Sequence, residues 1–370
     1  MFIHLSDTHL GFSDFNKVDS KTGLNQREVD VYNVFEWTID YILKAKPKFV
    51  IHAGDLLDTV RPPNRTINFV LGQFKKLSQA EIPIILISGN HSTPRMSVSG
   101  SIFESFKVFP NIYPVYKGKY EQIKIDNFII HCIPHCSTEK IMRENIRKIK
   151  INKSYKNILM THAGISGNKS YQTGEFNEQK IPLNLLKNNS FDYVALGHYH
   201  HFKKISSNAY FSGAAERFDF RFAGVETGFL KVTLPDFKIK FIKTPSRPME
   251  NFKLDALGLS AGQIQLNLKK FAKKVIKDSM VLINIENIKR EIWLALDRKA
   301  IEKDFKKVFI LELRPSFYQK KGKYSGKTHI DDLPIEFDNF IKNLKKSKKE
   351  KDLIKKLGIT YLQKAQAENL

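Results

Sequence analysis

Cysteine is nearly absent. The 370-residue chain has two, Cys132 and Cys136. Two thiols cannot build a disulfide framework, which excludes a stapled secreted scaffold and points to a reducing, cytoplasmic setting. The chain also lacks any uninterrupted apolar run long enough to cross a bilayer, so no membrane association is expected. Its first residues, "MFIHLSDTHLG", carry no basic stretch ahead of an apolar one, and they read as the first strand of the fold rather than an export signal. Acidic residues are scarce beside basic ones: 38 Asp and Glu against 61 Lys and Arg, a formal charge of +23. Such an excess favours a polyanionic partner, nucleic acid first and an acidic membrane surface second. A lysine-rich, solvated surface gives the same excess without any partner.

What is present is a series of short, β-branched, apolar segments up to about residue 232. "MFIHLSD", "KFVIHAGDLL", "IPIILISGN", "NFIIHCIP", "KNILMTHAG", "FDYVALGH" and "NAYFSG" read as strands. Helical periodicity separates some of them. Val31, Val34, Phe35, Thr38, Ile39 and Ile42 fall on one stripe, as do Ile67, Val70, Leu71, Phe74 and Leu77. The pattern predicts a layered α/β domain with polar residues at strand C-termini, where such folds place their sites. The prolines of "KTPSRPMEN" mark a boundary near 245–250. A small β-α-β-α-β domain follows, with one helix expected over "EIWLALDRKAIEKDF". "SFYQKKGKYSGKTH" reads as a linker. The remainder reads as helical, interrupted by a lysine-rich stretch and by Gly358, with Phe337, Phe340, Ile341 and Leu344 on one apolar stripe and Leu353, Ile354, Leu357 and Leu362 on another.

Five polar motifs close five of the strands: "DTH" (Asp7, His9), "GDLLD" (Asp55), "GNH" (Asn90, His91), "TH" (His162) and "GHYH" (His198, His200). Residues i and i+2 of an extended chain point the same way, so Asp7 pairs with His9, His198 pairs with His200, and His201 faces away. Carboxylate, imidazole and amide oxygen together suit Mn²⁺, Fe²⁺ or Zn²⁺. The donor supply exceeds the needs of one ion. Two ions sharing a bridging carboxylate fit better, an arrangement that activates water and clamps a phosphoryl group. Singly, each motif has an ordinary structural reading, as a cap, a turn or a core histidine. Their fixed order at successive strand ends is what points to a metal site. "HCIPHC" (His131, Cys132, His135, Cys136) fits no strong zinc spacing and reads as a buried strand running into a loop.

These motifs resemble the metallophosphoesterase signature. The flanking words "HLSDTHLG", "RPP" after "GDLLD", "YVALGHYHH" and "SGAAERFDF" followed by "GFLKV" are similar to its DNA-repair branch, the SbcD or meiotic-recombination-eleven nucleases. The resemblance is close over roughly the first 235 residues and beyond them rests on domain order. It implies a β-sandwich-with-helices nuclease domain over 1–245, a small α/β capping, DNA-binding domain over 250–318, and a linker with a helical partner-binding tail over 319–370. It implies two Mn²⁺ ions, one held by Asp7, His9, Asp55 and His200, the other by Asp55, Asn90, His162 and His198. His91 would contact phosphate and act in catalysis. Many relatives carry an acid where this chain has Ser92, and a hydroxyl cannot hold an imidazolium by charge. Asp58 stands where relatives carry His or Asp, and is expected only to support the site. The implied activity is Mn²⁺-dependent exonuclease and endonuclease hydrolysis of DNA, in a homodimer with an SMC-like coiled-coil ATPase of the SbcC type. A phosphoesterase of the same core acting on other substrates, or a scaffold that has lost turnover, stays open at this point.

Overall fold

The computed structural model describes residues 1–94, 100–166, 178–186, 191–318, 333–342, 344 and 346–368. The expected linker lies mostly outside the described residues. The chain forms two compact units, 1–318 and 319–370.

The first unit opens with strand β1 (Phe2–Leu5), helix α1 (Gln26–Ala45), β2 (Val50–His52), α2 (Asn64–Gln79) and β3 (Ile84–Ile87). Then come β4 (Ile112–Val115), β5 (Glu121–Ile125), β6 (Phe128–Ile133), α3 (Glu139–Arg147) and β7 (Lys156–His162). Next are β8 (Gly164–Ser166), β9 (Lys180–Pro182), α4 (Leu183–Leu186), β10 (Tyr193–Gly197), β11 (Lys203–Lys204) and β12 (Ala209–Phe211). Strands β13 (Gly228–Thr233) and β14 (Lys238–Lys243) close this part of the fold.

Two six-stranded sheets result, ordered β14-β13-β1-β2-β3-β4 and β11-β12-β10-β7-β6-β5. Their centres are parallel, and antiparallel strands guard most edges. Strands β1, β2, β3, β6 and β10 are buried along their whole length, which is why they read as continuous apolar runs rather than alternating ones. Phe2, Phe49, Ile51, Ile85, Ile130, Met160, Tyr193 and Leu230 fill the layer between the sheets. Helix α1 covers the outer face of the first sheet with Val31, Val34, Phe35, Ile39 and Ile42, and α2 adds Val70, Phe74 and Leu77. Asn25 caps α1 by accepting from the Arg27 amide. Met142 of α3 packs on the second sheet with Leu159, Val194 and Phe211.

A smaller parallel sheet follows, β15 (Met249–Asp255), β16 (Met280–Ile288) and β17 (Ile310–Phe317), covered by α5 (Ala261–Lys274), α6 (Arg290–Leu294) and α7 (Arg298–Asp304). It has its own core of Ile264, Leu268, Val281, Ile283, Ile285 and Phe305. The sequence predicts one helix over 291–305, and the structure has two. Asp297 breaks the run because its side chain accepts from the Ala300 amide and starts a new helix. Arg247 joins this lobe to the larger one. Its guanidinium makes two 2.7 Å bonds to Asp30 of α1 and lies 4.1 Å from the Phe309 ring centre.

The second unit contains α8 (Leu333–Lys342) and α9 (Lys348–Glu368). The expected interruption at Gly358 does not occur, and α9 runs through it. A Cβ there would stand 2.2 Å from the Phe337 ring, so Gly358 is a notch that admits an aromatic side chain. Ile341 is buried, while Phe340, Leu353, Leu357 and Tyr361 are more than half exposed. Among the described residues of the chain, no helix is long and apolar enough to cross a membrane.

Candidate metal centre

Every predicted ligand sits at or just past the C-terminal end of a central strand. Asp7 and His9 follow β1, Asp55 follows β2, Asn90 and His91 follow β3, His162 ends β7, and His198 and His200 follow β10. Asp7, His9, Asp55 and His198 have φ of 52°, 43°, 51° and 97°. Non-glycine residues seldom adopt that left-handed region, and its concentration at one place is typical of functional sites. It also alters which side chains meet. The extended-chain rule pairs His198 with His200, but the chain leaves the strand at Gly197 and the two diverge. The His200 ring faces His9, with their Nε2 atoms 3.2 Å apart. The His198 ring lies against His162, with centroids 5.2 Å apart. His201 packs on Tyr199 and Phe222, outside both groups.

One group is Asp7, Asp55 and His162, all buried, with Asn90 beside them. The His162 Nδ1–H donates to the Ala53 carbonyl at 2.9 Å, which leaves Nε2 with its lone pair facing inward. That nitrogen is 3.0 Å from Asp55 Oδ2 and 3.0 Å from Asn90 Oδ1. Three electron-pair donors converge there, and they repel one another unless a cation or a proton lies between them. In the metal-free chain the proton serves. Burial alone would depress His162, but the charge of Asp55 and a hydrogen bond to it, then the charge of Asp7, raise its pKa to about 9. Burial would likewise raise Asp55, yet His162 holds it well below the usual carboxylate range. Asp7 shifts the other way, upward through burial, so Asp55 carries the more persistent charge. A divalent ion replaces such a proton naturally, and the residues fit one.

The other group is Asp7, His9 and His200. Asp7 is held firmly: both its oxygens accept from the His198 amide at 3.0 and 3.1 Å, and Ser6 Oγ, itself 2.7 Å from Ser212 Oγ, donates to Oδ2. His9 Nδ1 lies 3.3 Å from the Asp58 carboxylate without a hydrogen bond between them, and its Nε2 faces His200. His9, Asp58 and His91 form a third group of donors at the mouth of the site. The His91 amide donates to Asp55 Oδ1 at 3.0 Å, and its Nδ1–H donates to the Asp58 carbonyl at 2.9 Å. Ser92 is buried and its hydroxyl donates to the Leu57 carbonyl at 3.3 Å.

Gly197 lets the two sheets approach. A Cβ on it would stand 2.0 Å from the Ala53 carbonyl oxygen and 2.8 Å from His162 Nδ1. Sequence reasoning missed Ser6, which donates to Asp7, Ser212, which bonds Ser6, and Glu178, which contacts His198. Ser6 adjoins a motif and was open to notice. Glu178 stands twenty residues from His198 with no motif around it, so no spacing rule reveals it. "HCIPHC" is as expected: Cys132 and Cys136 are buried free thiols, and His131 is bonded to Asn157 and Tyr120.

Paired sheets with a buried, two-part carboxylate and histidine cradle at their strand ends define a metal-dependent phosphoesterase. The chain belongs to the calcineurin-like phosphoesterase family, which it matches over residues 1–202. That family is dinuclear and metal-dependent. Among its relatives is a protein of Sulfolobus acidocaldarius named "DNA double-strand break repair protein Mre11", 28% identical over 367 residues, 97% of this chain and 86% of the relative. Proteins of the same name from Methanococcus maripaludis and Thermoplasma acidophilum are 32% and 30% identical over 205 and 222 residues. Those alignments take in 54% and 58% of this chain, and 51% and 56% of the relatives.

Proposed function

We propose that the chain is a Mn²⁺-dependent DNA nuclease that hydrolyses phosphodiester bonds at DNA ends in double-strand-break repair. The observation that carries the reading is the convergence of His162 Nε2, Asp55 Oδ2 and Asn90 Oδ1, in a chain similar along 97% of its length to a named break-repair protein. Asp7, His9, Asp55 and His200 would hold one cation, and Asp55, Asn90, His162 and His198 the other, with Asp55 shared. Bound there, the cations supply an activated water and charge stabilisation for the phosphoryl group. The chain's own residues do the rest. Ala53 fixes the His162 tautomer, the Asp58 carbonyl orients His91, and the Asp58 carboxylate lies 3.3 Å from His9. His91 would touch the phosphate, steadying its charge or delivering a proton to the departing oxygen.

The charge of +23 supports backbone binding that weakens with salt and reads no sequence. The lobe over 250–318 would cap and orient the DNA. The exposed Phe340, Leu353, Leu357 and Tyr361 support the tail as the contact for an SMC-like coiled-coil ATPase, an apolar helix face entering a groove. The assembly would be a homodimer. The test is digestion of end-labelled linear duplex DNA by the purified chain in Mn²⁺, Mg²⁺ or EDTA. Degradation that requires Mn²⁺ and is lost in both Asp55→Ala and His91→Ala is expected. Hydrolysis of a small chromogenic diester with DNA untouched would overturn the choice of substrate.

A further inference from the structure

Glu178 is a carboxylate with a side chain only 3% exposed, and it lies outside the five strand-end motifs. Burying a charge that deeply is costly unless something answers it. Two groups do. Lys180 Nζ is 3.6 Å from Oε2, and His198 Nε2 is 3.3 Å from Oε1. The segment that presents Glu178 is anchored. The carbonyl of its neighbour Gln179 accepts from the Gly164 amide at 2.8 Å, just beyond the strand that ends in His162. The Gln179 side chain bonds both the amide and the carbonyl of Cys136. Glu178 is therefore held in place by backbone tied to the same strand as one of the ligands.

We infer that Glu178 is a positioning residue for the metal centre, fixing the tautomer and ring orientation of His198. A neutral imidazole has one N–H and one lone pair. If Nε2–H is given to Glu178, the lone pair belongs to Nδ1, and that nitrogen is the one His198 offers to a cation. Carboxylates behind metal-bound histidines act in this way and raise the basicity of the ligating nitrogen. His162 uses the opposite arrangement, with Nδ1–H on a carbonyl and Nε2 inward. The two neighbouring rings would thus present different nitrogens to one ion. The inference rests on the dinuclear reading above.

The test is calorimetric titration of Mn²⁺ into the full metal-free chain, comparing wild type with Glu178→Ala, Glu178→Gln and His198→Ala. Removing a carboxylate behind a ligand typically weakens metal affinity about 10–100-fold. Glu178→Ala is expected to weaken the second Mn²⁺ by about that factor and leave the first unchanged. Glu178→Gln keeps an acceptor in the same place, so it should stay within roughly threefold of wild type, a small fraction of the Ala effect. Unfolding midpoints in EDTA separate a positioning role from misfolding and should agree among wild type, Gln and Ala variants. Wild-type affinity in both Glu178 variants, with the second ion lost in His198→Ala, would sink the inference and leave the dinuclear reading standing. Equal weakening by Gln and Ala would overturn tautomer holding in favour of direct ligation by the charged oxygen. Failure of the wild type to take a second ion would remove the dinuclear reading itself.

Discussion

Replacing Gly197 with alanine tests the close approach on which the site depends. The new Cβ would stand 2.0 Å from the Ala53 oxygen, 2.9 Å from its carbonyl carbon and 2.8 Å from His162 Nδ1. Two of those atoms are backbone inside a buried layer, and the first is well over an ångström short of ordinary contact. The Ala53 carbonyl must withdraw, which breaks the 2.9 Å bond fixing the His162 tautomer. Overpacking a core costs about 1–3 kcal/mol, and a buried donor left unsatisfied about 1–3 kcal/mol. A total near 2–6 kcal/mol lowers Tm by roughly 4–24 °C in a domain of this size. With Nδ1 free, the inward lone pair is no longer assured, and Mn²⁺ affinity should fall about 10–100-fold. The assay pairs scanning calorimetry in EDTA with Mn²⁺ titration. Gly262→Ala is the control: it lies in α5, nothing stands within 4 Å of its Cβ, and it should be neutral or slightly stabilising. A Gly197→Ala protein that melts lower but binds Mn²⁺ like wild type would break the link between this glycine and the cradle. One unchanged in both would show that the sheets do not approach as described.

Asp55→Asn keeps shape and removes the shared charge; neither Mn²⁺ should bind tightly, and turnover should drop to the EDTA background, measured by titration and end-label release. His91→Ala should retain both ions and lose about 10²–10⁴-fold in rate, the range for a positioned acid or base; loss of an ion instead would make His91 a ligand. Burial holds His4 and His52 neutral, with pKa down to about 3 from an ordinary 6.5. Their stabilisation is complete above pH 6.5 and is lost as pH falls toward 3, because the unfolded chain binds the protons first. At about 1.4 kcal/mol per unit and group, pH 4.5 should cost roughly 5 kcal/mol, read from urea midpoints; a flat profile from pH 6.5 to 4.5 refutes it. Arg247→Met leaves Asp30 buried without one of its two guanidinium partners and should cost about 3–5 kcal/mol while Mn²⁺ affinity stays level.

The legible parts of this chain are those where one residue type has one job. Fully buried parallel strands need unbroken apolar runs, and polar motifs at their ends are conspicuous for that reason. All seven predicted ligands come to one end of the paired sheets. The unread parts depend on tertiary partners. Gly358 looks like a helix breaker until Phe337 is placed against it. Asp297 could continue a helix or cap one, and only its bond to Ala300 decides. The pairing of His198 with His200 fails because the periodicity of extended chain stops applying once φ turns positive. Glu178 is invisible because its contact with His198 crosses from one strand end to another.

The left-handed ligand positions are held by backbone bonds of the chain itself. Strained non-glycine conformations cost of order 1–3 kcal/mol each and persist only when their surroundings over-determine them. Four of them would together consume a large part of the roughly 5–15 kcal/mol by which a domain is usually stable. The surroundings here are specific. Beyond the ends of β1 and β2, the two loops stay zipped: Asp7 N donates to Gly54 O and His9 N to Asp55 O, each at 3.0 Å. Leu10 N and Leu56 O continue the run at 2.9 Å, and Asp58 N returns to Leu10 O at 3.1 Å. Leu10, Leu56 and Leu57 are fully buried beneath this stretch. The ligand loops are thus an extension of the sheet, clamped by backbone bonds and seated on the core. A cation bound in such a site would have little of it left to fold, unlike the ion of a small zinc domain. The energy of its binding is left to select geometry and polarise a phosphoester, which is the use a metal-dependent hydrolase makes of it.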